Sequence, residues 1–188
     1  MYPFATKGQI KLQRDCKAIL IPDGISEEIK KGSRVNITQV LGGMFTVERE
    51  DGCLMRIDGI DADALGEIVP KDRKSTEDLA KEGKPVEDMV LEQLKTCYDP
   101  EIPVNIIELG IIYKCEISPI KKNVSSRVDI EMTLTAPGCG MGEVIKGDVE
   151  SKVLDVPGVE TVNVELTFDP PWEFDMMSEA AKLQLGML

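Results

Sequence analysis

The clearest chemical signal in the sequence lies in residues 133–142, which place one cysteine in a segment with one proline and three glycines. Residues 127–135 alternate apolar and polar side chains, which predicts a β-strand ending just before Cys139. Apolar residues at near-helical spacing from Val144 to Val156 predict a helix after it. A thiol at the start of a helix meets unpaired N–H groups and the positive end of the helix dipole, and both favour the thiolate. Cys139 is therefore the candidate nucleophile or soft-metal ligand, and Gly138 and Gly140 leave space beside it.

The composition narrows the chemistry that this thiol can perform. The 188-residue chain contains no histidine, which excludes Cys–His and Ser–His–Asp catalysis and His-ligated zinc or haem sites within the chain. Its five cysteines are scattered, odd in number and never spaced as Cys-x-x-Cys, which indicates free thiols in a reducing compartment. Neither a signal peptide nor a membrane-spanning apolar run is visible, so we expect a cytoplasmic location. The other four cysteines are predicted to be structural: Cys16, Cys53, Cys97 and Cys115.

The charge is strongly negative and unevenly distributed. The net charge is −12, and residues 76–188 carry 22 acidic against 10 basic side chains, whereas residues 1–75 carry 12 of each. Such a surface repels phosphate backbones, so we expect no nucleic-acid partner, and no membrane partner is indicated. The charge is expected to aid solubility, with selection of a basic partner as the alternative.

The pattern of elements predicts an α+β protein with two domains. Residues 1–69 contain short strands separated by turn signals, which is typical of a small all-β barrel or sandwich-like domain. Residues 70–84 are almost wholly polar and predict a linker. Residues 85–188 predict an α/β domain with a helix, a β-hairpin, a crossover helix, a third strand and a C-terminal helix. In such sheets, sites form beyond the carboxyl ends of strands, which is where Cys139 falls.

Two further segments of this domain could contribute to a site. Residues 99–105 contain two prolines and the carboxylates of Asp99 and Glu101, which could bind a cation, act as acid or base, or cap the adjacent helix. Trp172 is the only tryptophan and could cover the core, form a wall beside the thiol or anchor a partner. Residues 178–187 predict a short helix that could dock onto a second subunit.

Three motifs in this domain resemble the metal–sulfur cluster assembly family. They are residues 99–110, residues 132–139, and residues 162–165 leading to Pro171-Trp172, in family order and spacing. The resemblance implies that the loop cysteine is the functional residue, that Asp99, Glu101 and Glu108 form the acidic motif, and that Thr133 and Thr135 flank the site. The added N-terminal domain is similar to the long form of such iron–sulfur assembly proteins.

The resemblance implies a non-enzymatic accessory factor in iron–sulfur protein maturation, and two alternatives remain. In the first hypothesis Cys139 is a labile iron or cluster ligand or a transfer contact, with Glu101 and Glu108 completing a metal set. The cofactor would be a transient iron or iron–sulfur cluster, and the partners would be the assembly machinery, client apoproteins and a second copy. The alternatives are a thiol enzyme with Glu101 as base, and a metal-free adaptor bridging clients and machinery through the acidic face and Trp172.

Overall fold

A computed structural model describes residues 8–69, 76–121 and 125–187. The chain divides into two compact units, Met1–Arg73 and Lys74–Leu188. The linker predicted at residues 70–84 stays a prediction: residues 70–75 lie outside the described ranges, and the short helix α1 occupies Thr76–Glu82. No helix in the described ranges is long and apolar enough to cross a membrane.

The first unit contains one six-stranded antiparallel sheet. Its strands are β1 (Ile10–Lys11), β2 (Cys16–Ile21), β3 (Ser26–Ile29), β4 (Arg34–Leu41), β5 (Met44–Arg49) and β6 (Leu54–Asp58), in the order β1-β4-β5-β6-β2-β3. Positive φ angles of 55° at Gly42 and 81° at Gly43 form the tight turn between β4 and β5, as the glycine pair predicts. A 3₁₀ helix, Gly59–Leu65, follows β6 and begins at the capping side chain of Asp58. Alternating and apolar patterns in the sequence predict strands around residues 18–21, 35–40, 45–49 and 53–57, and β2, β4, β5 and β6 confirm them.

A single hydrophobic core fills the inner side of this sheet. Alternate residues of β4, β5 and β6 face it, as in the register that places Val47 opposite Met55, both fully buried. Cys16 is also buried in this core, so its predicted structural role is confirmed, and burial raises the pKa of its thiol. Cys53 is half-buried in the turn before β6.

The second unit contains a three-stranded sheet and two helices that pack together, one of them directly against the sheet. After α1, its elements are α2 (Val86–Leu94), β7 (Ile112–Lys121), β8 (Ser125–Met132), α3 (Gly142–Leu154), β9 (Val159–Leu166), a 3₁₀ turn (Phe174–Met176) and α4 (Glu179–Gln184). The β7–β8 pair is antiparallel and the β8–β9 pair is parallel, with α3 as the crossover. The predicted order of elements is confirmed, and the helix predicted from the apolar pattern of Val144 to Val156 is α3, which ends at Leu154. The molecule as a whole therefore has the α+β class that the sequence predicts.

A buried lysine of α3 forms an ion pair within its own helix and also binds the segment after α2. The Lys152 ammonium lies 3.3 Å from the Asp148 carboxylate, and both side chains are almost fully buried. Lys152 also donates to the Thr96 carbonyl at 2.7 Å, just after α2. Nearby, the Cys97 thiol is fully buried and donates to the Gln93 carbonyl, so its predicted core position is confirmed.

The prediction that Cys115 is a core residue is wrong, because the residue is exposed at the sheet edge, although apolar neighbours partly desolvate its thiol. Ile112 pairs with Met132 and Lys114 pairs with the next residue of β8, Glu131. Tyr113 is therefore an extra residue of β7, as in a β-bulge. Ile112, rather than Tyr113, therefore shares a face with Cys115 and Ile117. This face lies on an edge strand, where the described residues cover only part of it.

The sequence predicts a hairpin loop over residues 118–126, and this loop is shorter in the structure. Strand β7 continues through Pro119 to Lys121, and β8 resumes at Ser125. Pro119 reads as a turn signal in the sequence, yet proline is tolerated in a strand at the edge of a sheet. The intervening residues 122–124 lie outside the described ranges.

Candidate functional site

Three segments meet at one end of the small sheet. The last residue of β8, Met132, is paired with Ile112 at the start of β7 and with Leu166 at the end of β9. Beyond it, the Thr133 N–H donates to the Ile111 carbonyl at 2.8 Å, and the Thr167 N–H donates to the Met132 carbonyl at 2.9 Å. Residues 99–111, 133–141 and 167–178 therefore extend from the same sheet end, where the cysteine lies. Sequence analysis predicts a site at this end of the strands.

The cysteine lies in a turn just before α3. The Cys139 N–H donates to the Ala136 carbonyl at 3.4 Å, and the Cys139 carbonyl accepts the Gly142 N–H at 3.1 Å. Helix α3 begins at Gly142, with Met141 as its N-cap. Cys139 is half-buried, so it is neither sealed in the core nor fully exposed. The structure thus presents this thiol in a loop three residues ahead of the helix.

Two glycines shape this turn in different ways. Gly138 has φ +79°, the left-handed region that glycine adopts at least cost, and nothing lies within 4 Å of the position that a Cβ would occupy. Gly142 packs closely, since a Cβ there would lie 2.6 Å from Leu134 Cδ1. The turn is therefore anchored at the helix and open at Gly138, and the neighbouring Gly140 is exposed.

The two threonines before the cysteine differ in environment. Thr133 is fully buried, and its Oγ1 has no hydrogen-bond partner among the described residues. Thr135 is half-buried in the turn. A buried hydroxyl without a partner is costly, so Thr133 is the more constrained of the two positions.

The acidic segment at residues 99–105 is organised by its own side chains. Asp99 is buried, and its Oδ1 accepts the Glu101 N–H at 3.0 Å, which closes a turn. Asn105 Oδ1 accepts the N–H groups of Ile107 and Glu108 and opens a second turn. Asp99 thus stabilises a turn within this segment, whereas Glu101 is exposed to solvent, and the predicted cation-binding, acid–base or helix-capping roles stay predictions.

Glu108 makes a contact that the sequence does not predict. Its carboxylate accepts a hydrogen bond from the Ser178 hydroxyl, and its backbone carbonyl accepts the Ser178 N–H at 2.9 Å. The Ser178 hydroxyl also accepts the Ala181 N–H at 3.1 Å and caps α4. Glu108, predicted as a metal ligand, therefore ties the C-terminal helix to the acidic segment.

The segment formed by residues 170–178, here called the strap, lies against the start of β7. Trp172 Nε1 donates to the Leu109 carbonyl at 2.9 Å, and the Tyr113 hydroxyl donates to the Pro170 carbonyl at 2.9 Å. Gly110 has φ +69°, and a Cβ there would lie 2.1 Å from the Met176 carbonyl oxygen. Trp172 is half-buried and thus covers the loop that precedes β7. The sequence patterns do not predict the contacts that Gly110, Tyr113 and Ser178 make with other segments. The one visible signal is the glycine that precedes the β7 pattern.

The described residues of one copy contain no preformed metal site. Among the described residues, no three Cys, Asp or Glu side chains come close enough together to hold a metal ion. The predicted set of Cys139, Glu101 and Glu108 is thus not assembled in the described chain. Any iron bound through Cys139 would need ligands from elsewhere.

The outer face of the sheet is a charged surface distinct from this end. Arg127 donates to Asp129 at 2.6 Å, and these bonds hold the pKa of the Asp129 carboxyl below its usual value. Lys114 and Glu116 form a second pair at 2.9 Å. Each pair joins two residues that lie two positions apart on the same strand, so each basic side chain neutralises a carboxylate of its own strand.

Fold and site together define a small α+β domain that presents one accessible thiol where three loop segments meet. Comparison with known proteins agrees with this class. The profile of a family described as iron–sulfur cluster assembly protein matches residues 87–166. The chain belongs to this family, and the resemblance carried by the three motifs is confirmed.

Three relatives illustrate the membership. An "Fe-S protein maturation auxiliary factor" from Porphyromonas gingivalis is 46% identical over 54% of this chain and 92% of its own length. The "Fe-S protein maturation auxiliary factor SufT" of Staphylococcus aureus is 35% identical over 47% of this chain and 96% of its own length. An "Iron-sulfur cluster carrier protein" of Deinococcus radiodurans is 35% identical over 42% of this chain but only 21% of its own length.

Proposed function

We propose that this protein is a non-enzymatic accessory factor in the maturation of iron–sulfur proteins. Cys139 is its contact with iron, either as a labile thiolate ligand or as a transfer contact for a cluster. The observation that carries the proposal is the half-buried Cys139 thiol in an open turn beside Gly138, at the end of the sheet where three segments meet. Two relatives named as maturation auxiliary factors over more than nine-tenths of their length support the same role.

The ligand inventory indicates transfer rather than storage. An iron–sulfur cluster commonly takes four cysteine ligands, and this unit offers one thiol at the site. Cys97 is fully buried, and Cys115 lies on β7, away from the cysteine loop. Cluster binding through Cys139 therefore requires client cysteines, exogenous thiols, a second copy or an oxygen ligand such as Glu101. A site completed by the receiving protein releases its cargo readily to that protein.

The decisive experiment compares Cys139→Ser with a matched thiol control. The full chain is incubated anaerobically with ferrous iron, sulfide and an apo-form [4Fe–4S] client, and client activation is followed together with charge-transfer absorbance. We expect wild type and Cys115→Ser to promote activation and Cys139→Ser to lose that effect while keeping its circular dichroism spectrum. Full client activation with Cys139→Ser would refute the proposal.

A metal-free adaptor is the second candidate function, and one observation favours it. Phe174 packs beside Trp172 with ring centroids 5.2 Å apart and an interplanar angle of 59°, yet Phe174 is 61% exposed. Exposed aromatic side chains are common anchors at protein interfaces. Retained client activation in Cys139→Ser, together with its loss in Phe174→Ala, would establish the adaptor in place of the thiol function.

A further inference from the structure

Strand β7 carries an open edge with an apolar groove beside it. The sheet order β7-β8-β9 leaves one side of β7 without a partner strand among the described residues. Along this edge runs a cleft of about 380 Å³ between β7 and α2. Its lining is apolar except for Glu87 and includes Leu91, Leu94, Ile112, Cys115 and Ile117. Leu91 is 42% exposed although it faces this apolar cleft.

The hydrogen bonds to β8 show which backbone groups of β7 face outward. The Thr133 N–H points toward β7. Because backbone groups alternate in direction along a strand, the N–H and C=O groups of Glu131, Asp129 and Arg127 also point toward β7. Their partners Lys114, Glu116 and Ser118 therefore direct their backbone groups toward β8. This leaves the N–H and C=O groups of Cys115 and Ile117 directed to the open edge, together with Pro119, which has no N–H to offer.

We propose that this edge is a homodimer interface, in which the β7 strands of two copies pair antiparallel around a two-fold axis at Cys115. In this register Cys115 exchanges both backbone hydrogen bonds with its counterpart. Lys114 then lies directly opposite Glu116 of the second copy, and Glu116 opposite its Lys114. The two strands thereby join their sheets, and the two apolar grooves meet across the axis.

The charges of Lys114 and Glu116 favour this register over registers with the axis at an adjacent residue. An axis at Glu116 would place two glutamates directly opposite each other, and an axis at Lys114 would oppose two lysines; both arrangements are destabilising. An axis at Ile117 would pair Cys115 with Pro119, which cannot donate a hydrogen bond. Only the axis at Cys115 gives two opposite-charge pairs together with a complete central hydrogen-bonded pair.

The occupant of the groove follows from the same geometry. A second copy brings Leu91, Cys115 and Ile117 of its own groove to the matching positions of the first. Desolvation beside these side chains raises the pKa of the Cys115 thiol, so it packs as a small neutral group. In an antiparallel hydrogen-bonded pair the Cα atoms lie about 5.5 Å apart, within the range that a disulfide spans.

The test uses the full-length chain and charge variants, whose masses are measured by analytical ultracentrifugation. Wild type is expected to be a dimer, whereas Lys114→Glu and Glu116→Lys are each expected to be monomers because each creates two like-charge pairs. An equimolar mixture of the two variants is expected to form a heterodimer, since glutamates of one chain then face lysines of the other. The double variant Lys114→Glu/Glu116→Lys should also dimerise. Circular dichroism checks that each variant is folded.

Disulfide formation provides an independent readout of the axis. Diamide accepts the two protons and two electrons that two thiols release, and it is expected to give a covalent dimer through Cys115. Cys115→Ser should lose the covalent dimer but keep the non-covalent one. A monomeric wild type, dimers that ignore the charge changes, or failure of the variant mixture to associate would overturn the proposal.

Discussion

The carboxylate of Glu108 accepts a hydrogen bond from the hydroxyl of Ser178, a residue 70 positions later in the chain. The same hydroxyl caps α4 by accepting the Ala181 N–H, and the Ser178 N–H donates to the Glu108 carbonyl. One serine thus fixes both the start of the last helix and the turn that follows the acidic segment. Stability of the strap and of α4 should depend on this contact.

Replacing Ser178 with alanine should loosen α4. The variant loses the cap and leaves the Glu108 carboxylate without this donor, and loss of a serine cap costs about 1 kcal/mol. Amide hydrogen exchange should accelerate in residues 179–184 and leave α3 unchanged. Ser118→Ala, at an exposed position of β7, is the control. Unchanged exchange in α4 would show that the cap is not needed there.

Replacing Lys152 with methionine should destabilise the second unit strongly. The substitution removes the Lys152 ammonium from beside the buried Asp148 carboxylate and removes the donor to the Thr96 carbonyl. Removal of one partner of a buried ion pair costs about 3–5 kcal/mol. Urea denaturation monitored by Trp172 fluorescence measures the loss. Lys146→Met, on the same helix but outside this pair, should change stability little, and equal losses in both variants would contradict the account.

Replacing Gly110 with alanine should displace the strap. A Cβ would lie 2.1 Å from the Met176 carbonyl oxygen, and the positive φ adds a strain of roughly 1–3 kcal/mol. Since the chain has a single tryptophan, loss of the Trp172 bond to Leu109 should appear as a red-shifted fluorescence maximum.

The matched control for this change is Gly186→Ala. Gly186 also has a positive φ, 72°, but nothing lies within 4 Å of its Cβ position. It should carry the backbone strain alone and keep the fluorescence maximum of wild type. A red shift of equal size in both variants would assign the effect to strain rather than to the clash with the strap.

Acid should remove a stabilising contribution from the first unit. Hydrogen bonds from Arg49, and then from the Cys53 N–H, hold the pKa of the Asp51 carboxyl well below its usual value. A depressed folded-state pKa means that the contribution is fully present above the unfolded pKa and is lost as pH falls through the folded one.

Titration of individual carboxyl groups by NMR tests this assignment. Arg49→Met should raise the pKa of Asp51 toward its usual value, because its main donor is gone. Asp129, whose pKa is lowered by Arg127, should titrate as in wild type and serves as the internal control. An unchanged Asp51 titration would refute the role of Arg49.

Local patterns were sufficient to predict much of the fold. Alternation in residues 127–135 predicts β8 and its buried face of Val128, Ile130 and Met132, because side chains alternate between the faces of any strand. The glycine pair at 42–43 predicts its turn because it supplies the two positive φ angles. The position of Cys139 between a strand and a helix follows from the same local rules.

Contacts between distant segments could not be predicted from such patterns. The prediction for Cys115 failed because alternation alone does not reveal that β7 lies at an edge of the sheet: its cross-strand partner Ile130 is buried, whereas Cys115 itself is exposed. The acidic motif gave the residue type of Glu108 but not its partner, since Ser178 becomes its neighbour only when the strap folds back.

The sequence by itself determined the class of the fold, the order of elements in the second unit and the placement of one thiol in a glycine-rich turn. These features depend on interactions between residues close in the chain, and they can therefore be predicted from hydrophobic periodicity and from the backbone preferences of individual residues. The tertiary structure alone decided which carboxylates remain exposed, which thiols solvent reaches and which strand edge stays open. Those properties depend on which distant segments pack together, and only the folded chain brings Glu108 to Ser178 and Trp172 to Leu109.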